Sequence, residues 1–274
     1  MNTIDCPLIS VLIPYYNHNR YVVSTLNSVM EDTYPNKEIV IIDDGSTEMD
    51  SSNLLNWIEN NKENIKIIYK KRENKGITKT LNELISLSSG QYIALIASDD
   101  YFINNTFAKR VEFLQKHPNK LMLVSDAIVV DDDDSILFNS AMFEQRGALK
   151  KRYLSDAGIK KEIIKRWSIV GPTSFIDRRL FDTVGFYDES LMIEDWDFYL
   201  RVVAKNLLIF FDEKVAAYRW HTTNLSRNKE SEYNRDLCLC QTLQKNSKNF
   251  SFPYNFLVWK RSRKCFKRLN KTSY

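Results

Sequence analysis

The sequence predicts an α/β fold: a Rossmann-like, mostly parallel central sheet with helices on both faces, followed by a C-terminal helical extension. Three observations carry this. Continuous apolar runs such as Ile9–Ile13 and Ile39–Ile42 read as strands buried on both faces, the mark of parallel sheets. Segments of helical spacing separate these runs throughout the first half. The 274 residues include 43% hydrophobic and 12% aromatic side chains, enough to fill a large core.

The elements follow in order. Ile9–Ile13 is a strand stopped by Pro14, and Tyr21–Glu31 is a helix with Val22, Leu26, Val29 and Met30 on one side. Glu38–Ile42 is a strand, and Ser51–Asn61 is a helix with Ser51 or Ser52 as its cap. Ile65–Tyr69 is a strand, Thr78–Ser88 a helix ended by Gly90, Tyr92–Ile96 a strand, and Asn105–His117 a helix closed by Pro118. In the less regular second half, Leu121–Val130 reads as a strand leading into the acidic run Asp131–Asp134, a solvated hairpin tip. Ile159–Trp167 and Asp195–Lys205 are helical, and Thr173–Ile176 and Leu208–Trp220 are strands. Glu230–Lys245 and Phe252–Leu269 are helices. The expected division is a catalytic unit over 1–228, with a donor half (1–118) and an acceptor half (119–228), and a basic extension over 229–274.

The net charge of +4 is unevenly spread. From Leu237 onward there is no acidic residue and there are nine basic ones, so the tail is near +9 and the rest near −5. Such asymmetry suggests a partner surface for the tail. Phe252, Tyr254, Phe256, Leu257, Val258 and Trp259 precede its densest basic cluster, a composition suited to an anionic membrane surface. A terminal helix packed on the catalytic unit is the alternative, and no nucleic-acid motif accompanies the charge. Cys6, Cys238, Cys240 and Cys265 form no Cys-x-x-Cys pair and read as reduced cysteines. No signal peptide and no spanning apolar stretch is visible, which predicts a cytoplasmic protein, peripheral on the inner face of a membrane.

In an open parallel sheet, ligands bind beyond the carboxyl ends of the strands. The residues there are Pro14-Tyr15-Tyr16-Asn17, Asp43-Asp44-Gly45-Ser46, Asn74-Lys75-Gly76 and Ser98-Asp99-Asp100. A tyrosine can stack on a base, a carboxylate can accept from base or ribose donors, and an Asp pair can hold Mg²⁺ or Mn²⁺ against a diphosphate. These are parts for a nucleoside diphosphate. The absence of G-x-G-x-x-G and of G-x-x-x-x-G-K-[ST] disfavours a dinucleotide-binding dehydrogenase and a P-loop kinase.

Those four segments resemble the successive signatures of family 2 glycosyltransferases with the GT-A fold. The resemblance continues at Glu194-Asp195-Trp196-Asp197 with Arg201, and at Tyr218-Arg219-Trp220-His221 with Asn224 and Ser226, covering roughly residues 8–227. It implies an inverting transfer of sugar from a nucleotide-sugar, UDP above all, to an acceptor hydroxyl in cell-surface polysaccharide or lipid-linked glycan synthesis. Within it, Asp44 recognises the base with Tyr16 and Pro14 flanking, and Asp43, Lys75 and Asp99 complete the donor site. Asp99 and Asp100 stand for the metal-binding Asp-x-Asp, with either as ligand, and His221 approaches the metal or diphosphate. Ala97 stands where the family often has a further Asp. Asp195 is the expected catalytic base; by position alone it would be an N-terminal helix charge. Glu194, Trp196 and Thr173 are assigned to the acceptor side, with a core position the alternative for Trp196 and a plain loop for Thr173. His18 and His117 read as surface residues. The rival functions are a non-catalytic nucleotide-sugar-binding module and a sugar nucleotidyltransferase.

Overall fold

The computed structural model describes residues 6–191, 193–221 and 232–272. The first four strands, β1 (Ile9–Tyr15), β2 (Lys37–Asp43), β3 (Lys66–Lys71) and β4 (Tyr92–Leu95), are parallel neighbours in the order β3-β2-β1-β4. The sheet continues through β5 (Tyr101–Phe102), β6 (Met122–Val130), β7 (Ile136–Phe138), β8 (Ser174–Asp177) and β9 (Leu208–Arg219). The full order is β3-β2-β1-β4-β8-β6-β9-β5, with β7 paired to β6. β8 is antiparallel to both β4 and β6, so β6 and β9 run the same way as the first four strands.

Side chains alternate across the pleat and build a core on each face. Leu12, Val40, Ile93 and Leu95 join α3 (Ile77–Leu87), α5 (Asp156–Lys165) and α7 (Glu194–Ala204). Val11, Ile13, Ile39 and Ile41 join α1 (Val22–Glu31), α2 (Glu48–Asn61) and α4 (Phe107–Gln115) on the other. The short α6 (Arg179–Val184) follows β8.

Two local expectations are corrected. Pro14 does not stop β1, because the β1–β4 ladder already ends at Leu12↔Leu95 and the missing N–H costs no pairing there. The cap of α2 is Thr47, whose hydroxyl accepts from Asp50 N–H at 3.2 Å; Ser51 lies inside the helix and Ser52 on its surface.

The basic tail forms α8 (Glu232–Asn246) and α9 (Tyr254–Thr272), which pack on each other and on α7 and α5. Cys238, Leu243, Phe250 and Val258 join the core of that face. Lys245 pairs with Asp188 of the catalytic unit, and Asn246 donates to Asp197 at 2.7 Å. The expectation of reduced cysteines is overturned for one pair. Cys240 on α8 and Cys265 on α9 form a disulfide, their Cα atoms 5.5 Å apart. Packing two helices side by side brought them together, which spacing along the chain does not reveal. Among the described residues, no helix is long and apolar enough to cross a membrane.

Candidate active site

The parallel register puts Tyr15, Asp43 and Lys71 level at the carboxyl ends of β1, β2 and β3. Everything that follows these strands therefore emerges along one edge. Gly45 makes the turn after β2 with φ +91°, and a Cβ there would lie 2.8 Å from Asn74 N. The close approach lets Asp44 reach the loop after β3. Its carboxylate accepts from Lys75 N–H at 2.8 Å, from Gly76 N–H at 2.9 Å and from the Arg72 guanidinium. A carboxylate has about four lone-pair sites, so room for one further donor remains. Tyr16 is exposed, Pro14 half-buried, and the Lys75 side chain open to solvent.

Asp43, expected in the donor site, also forms part of the scaffold of this edge. It is fully buried and accepts from Ser46 N–H at 2.8 Å and from Ser51 Oγ at 2.7 Å, tying the turn to α2. Ser46 Oγ in turn accepts from Asn17 N–H at 2.9 Å, joining the loops after β1 and β2.

After β4, Asp99 and Asp100 part company. Asp100 is buried and accepts from Arg219 N–H at 2.8 Å. Burial and the neighbouring Asp99 push its carboxyl well above the ordinary range. Asp99 Oδ2 lies 2.9 Å from His221 Nε2, and Asp99 Oδ1 lies 3.8 Å from His18 Nδ1. One ligand atom from each of His18, Asp99 and His221 falls within 4.8 Å of the others. Two imidazoles and a carboxylate make a donor set able to hold a divalent metal ion. Burial pulls His18 below its ordinary pKa against the opposing pull of Asp99, which favours the neutral ring a ligand needs. The reading of His18 as a mere surface residue is thus corrected. Its position in the loop after β1 was the signal. His117 stays apart, 2.7 Å from Phe113 O.

Arg219 organises this corner. Buried at the end of β9, it donates to Asp99 O, Asp131 O and Asp134 Oδ1 at 2.9, 2.7 and 2.7 Å. Its guanidinium lies over Tyr21, whose ring stacks on His221 at 5.3 Å. The acidic run does form a hairpin turn between β6 and β7. It is more engaged than a solvated tip, because Tyr21 O–H donates to Asp132 and Arg20 pairs with Asp133. Asn224 and Ser226 lie outside the described residues.

Asp195 sits in the first turn of α7, half-buried. Trp167 Nε1 donates to its Oδ2 at 2.9 Å, and Trp196 N–H to its Oδ1 at 2.6 Å. Burial raises its carboxyl to about 6, against these two hydrogen bonds and the nearby Arg146. Glu194 beside it is raised too, by burial and by Asp195. Trp196 is a core residue donating to Ile163 O at 2.9 Å, and Thr173 is buried with its hydroxyl on Val170 O at 2.7 Å. Trp196 thus takes the core position given as its alternative, and Thr173 is tied to its own loop. Arg72, Arg146 and Trp167 were not singled out by sequence, since none belongs to a recognisable motif.

Residues 10–185 match the family described as Glycosyl transferase family 2. The Escherichia coli UDP-Glc:alpha-D-GlcNAc-diphosphoundecaprenol beta-1,3-glucosyltransferase WfaP is 26% identical over 229 residues, 82% of either chain. S. aureus TarS 1–349, solved with UDP-GlcNAc, superposes with TM-score 0.65 at 19% identity over 88% of this chain and 70% of that one. The mannosyltransferase PcManGT from Pyrobaculum calidifontis, solved with GDP-Man and Mn²⁺, gives TM-score 0.65 at 16% identity over 93% and 69%. The fold is GT-A, and the chain belongs to glycosyl transferase family 2.

Proposed function

We propose that this glycosyltransferase moves a sugar from a UDP-sugar, with inversion, onto a hydroxyl of a lipid-linked or growing polysaccharide acceptor, with Asp195 as base. The observation that carries the reading is the environment of Asp195. A half-buried carboxylate with a raised proton affinity, fixed by Trp167 and the start of α7, suits proton removal near neutral pH. The glucosyltransferase from E. coli supports a lipid-linked acceptor, and the UDP-GlcNAc-bound neighbour supports the donor.

The chemistry then balances. Asp195 takes the acceptor hydroxyl proton as that oxygen bonds to the anomeric carbon, and the bond from this carbon to the diphosphate breaks, the electron pair leaving with UDP. Asp44, which holds the Lys75–Gly76 loop, has capacity for one base N–H, and Tyr16 offers a ring to the base. His18, Asp99 and His221 are the residues that would hold a divalent cation, which when bound supplies positive charge to the diphosphate. Asp100 belongs under Arg219 rather than on the cation.

UDP release from a panel of UDP-sugars, assayed with and without Mn²⁺, tests this. Asp195→Asn is expected to lower turnover by about 10²–10⁴-fold while leaving the donor Kd nearly unchanged. A variant that turned over like wild type would remove Asp195 from the role. Nucleotide-sugar binding with no UDP release by the wild type would make the chain a binding module.

A further inference from the structure

The last helix presents two faces of different character. Steps of about 100° per residue place Val258, Ser262, Cys265 and Leu269 along one side of α9, and all four are buried or half-buried. Val258 joins the core on this side, and Cys265 is bonded to Cys240 of α8. The same steps bring Phe256, Trp259, Lys260, Arg263 and Lys267 to the opposite side, within about 60° of one direction, and all five are exposed. Phe252, just before the helix, is 80% exposed, Phe256 55% and Trp259 48%.

The order of residues along the exposed face gives it a partner. Aromatic rings come first and cations follow. Single exposed apolar side chains are ordinary on a protein surface, but a contiguous group of them marks an interaction site. From Leu237 onward the chain has nine basic residues and no acidic one, so the charge of this face complements an anionic surface. Large rings sit favourably at the headgroup level of a bilayer. Lysine and arginine lay their stems along apolar surface while their charges reach outward to phosphate. Two other partners fit less well. The bases of a nucleic acid need an open ring to stack on. Trp259 is already in contact with Phe256 one turn before it, stacked at 5.5 Å, and with Arg263 one turn after it, 4.9 Å over the ring. A second copy of this chain, docked by the same face, would bring cations against cations.

We infer that this face of α9 docks the enzyme on an anionic lipid bilayer, with Phe252, Phe256 and Trp259 at the headgroup level and Lys260, Arg263 and Lys267 on lipid phosphates. The packed side of α9 stays with α5 and α8, so docking requires no rearrangement of the fold. The inference goes beyond the transfer reading and does not depend on it, because it assigns a working surface whatever the acceptor.

The test is flotation of the full chain with vesicles of phosphatidylcholine alone and of phosphatidylcholine mixed with phosphatidylglycerol. Binding to the anionic vesicles is expected to exceed binding to the neutral ones by at least about tenfold, and to weaken as salt rises. The charge variant Lys260→Glu/Arg263→Glu/Lys267→Glu and the aromatic variant Phe252→Ser/Phe256→Ser/Trp259→Ser should each weaken it by about tenfold or more. All six positions are exposed, so a Tm near that of wild type shows that each variant is folded. Tryptophan emission of the wild type should shift to the blue on anionic vesicles, and the shift should shrink in Trp259→Phe. Equal binding to both kinds of vesicle, or unchanged binding in either triple variant, overturns the docking face. So does tighter binding to a single-stranded oligonucleotide than to anionic vesicles, and so does self-association in solution that the aromatic variant abolishes. UDP release without vesicles is measured in parallel. UDP release without vesicle binding sinks the docking face alone, whereas vesicle binding without UDP release supports the face and sinks the transferase reading.

Discussion

Asp195 shows how four consecutive polar and aromatic residues divide their tasks. Steps of about 100° around a helix separate Glu194-Asp195-Trp196-Asp197 into different directions. Asp195 turns to Trp167, Trp196 to the core, and Asp197 to Arg201 at 2.8 Å and Asn246. The sequence showed the cluster, and the resemblance gave Asp195 an expected role; neither could show which side chain faced which way. Because burial raises Asp195 to about 6, the rate should fall as pH drops below about 6, whereas an unperturbed Asp would lose its proton-accepting form only near 3.9. Trp167→Phe removes a hydrogen bond that favours the carboxylate. Its acid limb should move to higher pH, with kcat lowered more than KM rises, as a pH–rate profile will record. The two aspartates after β4 separate in the same manner. Asp99→Ala should abolish the Mn²⁺-dependent part of the rate in a protein of near-normal Tm. Asp100→Ala leaves the buried Arg219 N–H unsatisfied and should lower stability by about 1–3 kcal/mol in urea unfolding.

The strands and helices themselves were legible almost throughout, because buried parallel strands read as unbroken apolar runs. Every strand expected in the first hundred residues appears within two residues of its place. What escaped were elements too short for periodicity to register, such as β5, β7 and α6. Polar residues inside strands were equally mute. Glu38 in β2 looked like a strand boundary, yet it is fully buried, accepting from Ser10 Oγ at 2.6 Å, Ser89 N–H at 2.6 Å and Lys66 Nζ at 2.6 Å. Burial alone would raise its pKa; these donors outweigh burial and hold it at about 2. A depressed folded-state pKa gives stability that is complete above the unfolded value, near 4.3, and lost as pH falls from there toward 2. Glu38→Gln should therefore cost on the order of 3 kcal/mol at pH 7, and the gap between variant and wild type should close by pH 2. Urea midpoints at the two pH values measure it.

For the molecule as a whole, the α8–α9 pair is the part composition described least well. Charge suggested a tail with a partner; the fold packs that tail against α5 and α7 and still leaves Phe252, Phe256 and Trp259 exposed. Packing on the fold is the reading that these contacts bear out. The Cys240–Cys265 link closes a loop of 25 residues, for which chain entropy gives a stabilisation of about 3 kcal/mol. Thiol titration of the unfolded protein should find two reactive cysteines before reduction and four after it, and dithiothreitol should lower Tm.

The bond between Asp99 and His221 spans 122 residues, and that between Asp100 and Arg219 spans 119. β9 delivers Arg219 and His221 only by lodging between β6 and β5. During synthesis the Asp44 loop can close early on local partners, whereas the Asp99–His221 corner has to wait until just over four-fifths of the chain exists. Contacts of such separation form slowly and together. These two bonds therefore form among the last contacts of folding, and a fragment ending before β9 would lack both.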